Sequence, residues 1–228
     1  SRHRRSGSRH PQGGPAEVSH LVEAPTIGRA WLEIAAHIMA QGSPAIYDGR
    51  PILEVAQVTL EVAHPDPDDE LIARNADPER LAWMRANFLD RNLVAELGDA
   101  RSYASRLRDY GGVGRDQVEW VIARLRADPQ SRSATITTFE PLIDTTYIPC
   151  VSMLDFWVPA GSLELVVYAH SIDFGSKGYG NLVQLAAIQQ EVASALSLDV
   201  GSLTFVIKSA HVYDTEFDYM RGVLAHSS

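Results

Sequence analysis

Apolar positions along the chain follow two rhythms, and the change between them divides it. From Thr26, a helix N-cap by residue type, Ile27, Trp31, Ile34 and Ile38 fall on one helical face until Gly42 stops the run. Asp48-Gly49 is a hairpin signal between residues 45–47 and 51–62. In the second stretch Leu53, Val55, Val58, Leu60 and Val62 predict a long strand with one irregularity near Ala56-Gln57. Asp77-Pro78-Glu79 opens a second helix with a cap, a proline in the first turn and an acid at the positive helix end, and Leu81, Trp83, Met84 and Phe88 form its body. A third helix over about 114–127 sets Val118, Val121, Ile122 and Leu125 at the i, i+3, i+4, i+7 spacing of a buried stripe, and Asp128-Pro129 ends it.

From Ser133 the period shortens to two. Residues 134–139, 150–158, 163–172 and 203–213 read as strands, interrupted by a long helix over 179–196. Helices first, then strands around one late helix, predict an α+β fold with a mixed, mostly antiparallel sheet flanked by helices. Residues 1–24 read as a flexible basic tail and 25–228 as a single domain. A chain of 228 residues, 45% of them hydrophobic, is long enough for one well-buried core.

Composition narrows the functional classes. No run approaches the roughly 18 consecutive apolar residues of a membrane span, and the first residues lack the apolar centre of a signal peptide, so a cytoplasmic protein is expected. The net charge of −9 hides an asymmetry, because Arg2, Arg4, Arg5 and Arg9 precede any acid and leave the remainder more acidic still. Such a body does not resemble a nucleic-acid-binding surface. One cysteine, Cys150, excludes an internal disulfide, and no compact His/Cys cluster suggests a metal site. The lone thiol is either inert packing or a reactive group.

Five short segments carry the chemistry. Ile148-Pro149-Cys150 is followed by Phe156 and Gly161-Ser162-Leu163, and Tyr168-Ala169-His170-Ser171-Ile172-Asp173 precedes a glycine-rich stretch ending at Asn181. The others are Ala210-His211-Val212-Tyr213, Asp128-Pro129-Gln130-Ser131-Arg132 and Tyr103-Ala104-Ser105-Arg106-Leu107. In this order and near these spacings they resemble the motifs of thymidylate synthases and the related deoxycytidylate hydroxymethylases. These are the nucleophile segment, the Y-x-R-S-x-D…N block with one change, the H-x-Y strand, the D-P-x-S-R turn and the tyrosine of Y-G-x-x-x. The resemblance covers about residues 103–213.

The resemblance implies a thymidylate synthase-like fold. It also implies transfer of a one-carbon unit from 5,10-methylenetetrahydrofolate to C5 of a pyrimidine nucleoside monophosphate. C5 is a poor nucleophile, and a thiolate adding to C6 gives it carbanion character. By resemblance Cys150 is that nucleophile, and Tyr103 assists removal of the C5 proton through water. Asn181 reads the base, its amide complementing O4 and N3–H of uracil, whereas relatives that act on cytosine usually carry Asp there. His211 and Tyr213, alternating on one strand face, hold the sugar hydroxyl. Ser171 and Arg132 correspond to phosphate contacts; that arginine reaches into the partner subunit's site, which implies a homodimer. Asp173 corresponds to a folate contact, and Trp83 is available to stack on folate. Structural roles compete with each of these: a helix cap for Asn181 or Asp173, a satisfied His-Tyr pair, a surface cation for Arg132, core packing for Trp83.

Departures from the pattern matter as much. His170 stands where the family has an arginine that holds phosphate and lies near the nucleophile; an imidazole makes that substrate contact weaker and pH-dependent. Ser133 replaces a second arginine, Val151 replaces the histidine after the cysteine, and the early R-T-G-T loop is absent, with Arg50 available as a substitute. Glu61, Glu70 and Glu79 are the acids considered for ordering water at the pyrimidine. These departures point to a specialised methylase or hydroxymethylase of modified-nucleotide metabolism. The alternative is a catalytically silent relative that binds nucleotide or RNA as a regulator.

Overall fold

A computed structural model describes residues 20–227; the basic tail expected over 1–24 lies outside them up to residue 19. Thr26 ends β1 (His20–Thr26) and caps α1 (Ile27–Gln41), its hydroxyl accepting from the Arg29 N–H. A strand thus occupies 20–24, where composition read as linker, because only Val22 and Ala24 of it are buried and the alternation is too short to register.

Asp48 and Gly49, at φ 49° and 71°, fold β2 (Ser43–Tyr47) back on β3 (Arg50–His64), the backbone that an Asp-Gly turn favours. The irregularity falls at Gln57, at φ 57°. Its register against β10 (Asp199–Tyr213) is the same on both sides, so the strand kinks without inserting a residue. Next come α2 (Glu70–Asn75) and α3 (Pro78–Leu89), capped by Asp69 and Asp77. The Asp69 carboxylate accepts from the N–H groups of Gly28, Leu71 and Ile72, tying α1 to α2. A Cβ at position 28 would stand 2.2 Å from Asp69 Oδ1, which is why glycine occupies that turn of α1.

A two-residue ladder of β4 (Leu93–Val94) and β5 (Ala100–Arg101) leads into α4 (Tyr103–Arg108) and α5 (Gln117–Ala127). Then follow β6 (Ala134–Thr137), β7 (Val151–Trp157), β8 (Ser162–Ala169), β9 (Ile172–Asp173), α6 (Gly178–Leu196), β10 and α7 (Phe217–His226). The sheet order is β1-β3-β10-β8-β7-β6, with β2 on β3 and β9 on β10. β1/β3, β8/β10 and β9/β10 are parallel and the other pairings of that sheet antiparallel, as the α+β reading expected.

The strands bury one face. Leu163, Leu165, Val167 and Ala169 of β8 and Leu203, Phe205 and Ile207 of β10 are fully buried with Trp31, Leu185 and Val192 from α1 and α6. The Trp31 indole N–H donates to the Phe174 carbonyl at 2.9 Å, and the Gln189 side-chain amide donates to the carbonyls of Leu163, Gly201 and Ser202. The first bond fastens α1 beside the end of β10 where the chemistry-bearing residues gather, and the others fasten α6 to the starts of β8 and β10 at the opposite end of the sheet. The opposite face exposes Met153, Tyr168 and Val206, which are cross-strand neighbours on β7, β8 and β10. Among the described residues no helix is long and apolar enough to cross a membrane, and no group of His, Cys, Asp or Glu is arranged to hold a metal ion.

Candidate active site

β7 starts one residue after Cys150, and the pairing of β7 with β8 shifts register between Val151 and Met153. A bulge at that point turns the strand end toward a cavity of about 850 Å³. The preceding loop is held by Arg106, whose buried guanidinium donates to both Asp144 carboxylate oxygens at 2.7 and 2.8 Å and to the Thr138 carbonyl at 2.9 Å. The Cys150 carbonyl accepts from the His170 N–H at 3.0 Å, so the two residues face each other across the strand pair.

Nine of the ten residues singled out in the sequence line this one cavity: Cys150, Tyr103, His170, Ser171 and Asn181, then His211, Tyr213, Asp173 and Trp83. Arg132 does not. It is exposed in the turn before β6, outside its own chain's cavity. Glu61, Glu70 and Glu79 do not reach the cavity; the acids that do are Asp48, Glu96 and Asp173. Arg50 lines it, with its guanidinium 4.0 Å over the Tyr213 ring and donating to Thr215 Oγ1 at 2.7 Å.

Local structure sets each side chain. Tyr103 is the first residue of α4, its N–H bonded to Asn87 Oδ1 and its ring stacked 4.4 Å from Phe88. Its hydroxyl accepts from the Val151 N–H at 3.0 Å, which leaves the phenolic proton free to be donated. Asn181 sits one turn inside α6 rather than at its cap, and its Oδ1 is buried with no partner. The cap role is therefore excluded for Asn181. His211, 2% exposed, has Nδ1 3.5 Å from Ser171 Oγ and a buried Nε2 with no partner. A buried polar atom left unpaired costs about 1–3 kcal/mol, and two of the four such atoms among the described residues lie on the wall of this cavity. Asp173 does act structurally, accepting from the Gly175 N–H at 2.9 Å and from the Ser176 hydroxyl.

Burial governs the charges. Desolvation pushes the Cys150 thiol up to about 11; the Lys177 ammonium pulls it down and Asp173 pushes it up. Burial, with the Lys208 ammonium, lowers His170, so the imidazole at the arginine position is neutral at pH 7. His211 is lowered by burial against an opposing pull from Asp173. Tyr103 is raised by burial and by the neighbouring Cys150.

Four of the lining residues that were not singled out stand nearest the chemistry. Tyr47 lies at the hairpin turn with its ring 5.3 Å from His211, Asn87 is buried on α3, Tyr147 precedes Cys150 by three residues, and Lys177 precedes α6. Only Tyr147 and Lys177 carry a signal in sequence, their closeness to the cysteine and to the glycine-rich stretch.

Residues 72–228 match the family model described as thymidylate synthase. The chain belongs to the thymidylate synthase family. It is 28% identical over 212 residues to a Methanosarcina mazei protein named "Putative thymidylate synthase", covering 91% of this chain and 96% of that protein. A protein of the same name from Methanothermobacter marburgensis is 30% identical over 230 residues, with 91% and 99% covered. The deoxyuridylate hydroxymethyltransferase of Bacillus phage SP01 is 26% identical over 80% of this chain and 56% of that protein. The α+β architecture is accordingly a thymidylate synthase-like fold, and the segments that carry the resemblance contribute nine residues to the cavity, among them His170 where the resemblance implies an arginine.

Proposed function

We propose that this protein transfers a one-carbon unit to C5 of a pyrimidine nucleoside monophosphate through a covalent bond between Cys150 Sγ and C6 of the ring. The observation that supports it best is the pair of unpartnered buried atoms, Asn181 Oδ1 and His211 Nε2, on the same cavity wall system as the only thiol. Asn181 offers an acceptor to the N3–H of uracil and a donor to O4. His211, with Nδ1 turned to Ser171, presents Nε2 to the sugar beside Tyr213. Once Sγ has bonded to C6, the Tyr103 phenol, uncharged and held by Val151, relays the C5 proton through water. Arg50 and Lys177 supply cationic charge for a phosphate that His170, neutral at pH 7, does not.

A cavity of about 850 Å³ lies high in the range of roughly 300–1,000 Å³ seen for small-molecule sites and has room for a second ligand beside the nucleotide. Trp83 offers that ligand an aromatic face, and Asp173 retains acceptor capacity beyond its two local bonds. The residues fit 5,10-methylenetetrahydrofolate, which when bound supplies the one-carbon unit at the oxidation level of formaldehyde. The row Met153, Tyr168 and Val206 on the uncovered sheet face supports a homodimer, in which Arg132 would serve the partner's phosphate site.

The test is incubation with methylenetetrahydrofolate and each of UMP, dUMP, CMP and dCMP, with mass detection. A product heavier by CH₂ is methylated, and one heavier by CH₂O is hydroxymethylated. No product from any of the four counts against the proposal. A catalytically silent, nucleotide-binding relative is the competing reading, favoured by the high position of the Cys150 thiol. Tritium release from C5 that disappears in Cys150→Ser excludes it.

A further inference from the structure

The buried face of α3 carries Met84, Asn87 and Phe88, at the i, i+3, i+4 spacing where a helix ordinarily places apolar side chains. Asn87 interrupts that stripe at 6% exposure, and asparagine is among the weaker helix formers. Its partner lies on the neighbouring helix. Asn87 Oδ1 accepts from the Tyr103 backbone N–H at 3.0 Å, and the next residue, Phe88, stacks on the Tyr103 ring with centroids 4.4 Å apart. A backbone N–H can only donate, so this bond settles which end of the amide faces Tyr103. At its far end the Tyr103 hydroxyl accepts from the Val151 N–H at 3.0 Å, directly after Cys150. Tyr103 is thus held at three points: main chain, ring and phenolic oxygen.

We propose that Asn87 is a positioning residue for proton transfer from C5: its carboxamide fixes where α4 begins, and so where the Tyr103 phenol stands relative to the strand end that carries Cys150. The inference rests on the reading of Tyr103 as the proton-transfer group beside the Cys150 nucleophile. The Tyr103 N–H is one of the amides that a helix start leaves without an internal partner, so nothing within α4 holds it in place of Asn87. Ser102, the cap of α4, is engaged elsewhere, accepting from the Ser105 N–H at 3.1 Å and donating to the Asp90 carbonyl at 2.7 Å. The Phe88 contact sets the plane of the ring but lets it slide, whereas a hydrogen bond is directional and fixes the residue along the helix axis. Asn87 also lines the cavity, as Tyr103 does, and Phe88 does not. In the step that depends on this placement the C5–H bond gives its proton to water and leaves its electron pair in the ring; nothing is oxidised or reduced.

The experiment is a double-variant cycle on the full chain. It is read as kcat and KM for tritium release, with methylenetetrahydrofolate, from whichever C5-tritiated nucleotide among UMP, dUMP, CMP and dCMP the wild type turns over. Asn87→Leu is expected to lower kcat by about 10- to 100-fold, the order that a misplaced catalytic group costs, and to leave KM within about threefold. In a Tyr103→Phe background the same change is expected to lower kcat by less than about threefold, because a residue that acts through the phenol has nothing left to position. Asn87→Asp, which keeps the acceptor, is expected to regain most of the lost kcat. An unchanged kcat in Asn87→Leu overturns the role, as do losses that multiply in the double variant, the mark of a merely structural contact, or an Asn87→Asp as slow as Asn87→Leu. Should Asn87→Leu fail to fold, Asn87→Ala takes its place in the cycle. Tritium release that is insensitive to position 87 removes this inference and leaves the transferase reading standing; no release from any of the four nucleotides removes both.

Discussion

The Val151 N–H donates to the Tyr103 hydroxyl across 3.0 Å, so the backbone directly after Cys150 is pinned by the phenol that faces the same cavity. Tyr103→Phe removes the acceptor and leaves a buried N–H unpaired. The expected loss is about 1–3 kcal/mol in urea unfolding. Tritium release from C5 should fall by about 10²–10⁴-fold, the usual worth of a positioned proton-transfer group. A variant that loses stability but releases tritium at the wild-type rate would show that the tyrosine only fixes the strand.

Arg106 and Asp144 form a bidentate pair with both side chains almost fully buried. Arg106→Met strands a carboxylate inside the protein, and a drop of about 3–5 kcal/mol in unfolding free energy is expected. The double variant Arg106→Met, Asp144→Leu should recover part of that loss, which denaturation of all three proteins measures.

Asn181→Asp replaces the amide N–H₂ group, the donor to O4 of uracil, with a carboxylate oxygen that accepts from the N4 amino group of cytosine. Preference should pass from uracil to cytosine nucleotides in competition assays, by about tenfold or more, given the cost of about 1–3 kcal/mol for a mispaired buried group. Equal preference in variant and wild type would remove Asn181 from base reading.

Both cavity histidines with shifted pKa values are held below their ordinary range, chiefly by burial. The unfolded chain therefore binds more protons than the folded one between the ordinary value near 6.5 and the lower folded values. The stability they contribute is present above about pH 6.5 and is lost as pH falls through the folded values. Urea midpoints should be lower at pH 5.5 than at pH 7.5, and His170→Gln should narrow the gap; a gap that does not change would contradict the assignment.

What could be read from the sequence followed from local physics. Thr26 and Asp77-Pro78 announced their helices because capping is a property of a few adjacent residues, and the later strands announced themselves through strict alternation. The kink at Gln57 was visible as the change of parity between Val55 and Val58. The helix α2 was not, since six residues with one buried side chain carry no period, and α7 buries only Met220 and Val223. The chemistry-bearing part of the cavity, from Tyr103 and Cys150 to His211 and Tyr213, was legible through motif order. Tyr47 and Asn87 were not, because their relevance arises only when distant segments meet, and Tyr147 and Lys177 were signalled only by their closeness to the cysteine and to the glycine-rich stretch.

The cavity wall draws on the β2–β3 turn, α3, α4, the loop before β7, the start of α6 and the end of β10. A molecule lodged there straps nearly the whole chain together, and by mass action at one hundred times its dissociation constant it adds about 2.7 kcal/mol to the stability of every segment at once. On the proposed mechanism Cys150→Ser holds nucleotide without consuming it, and its melting curves are expected to rise with nucleotide concentration.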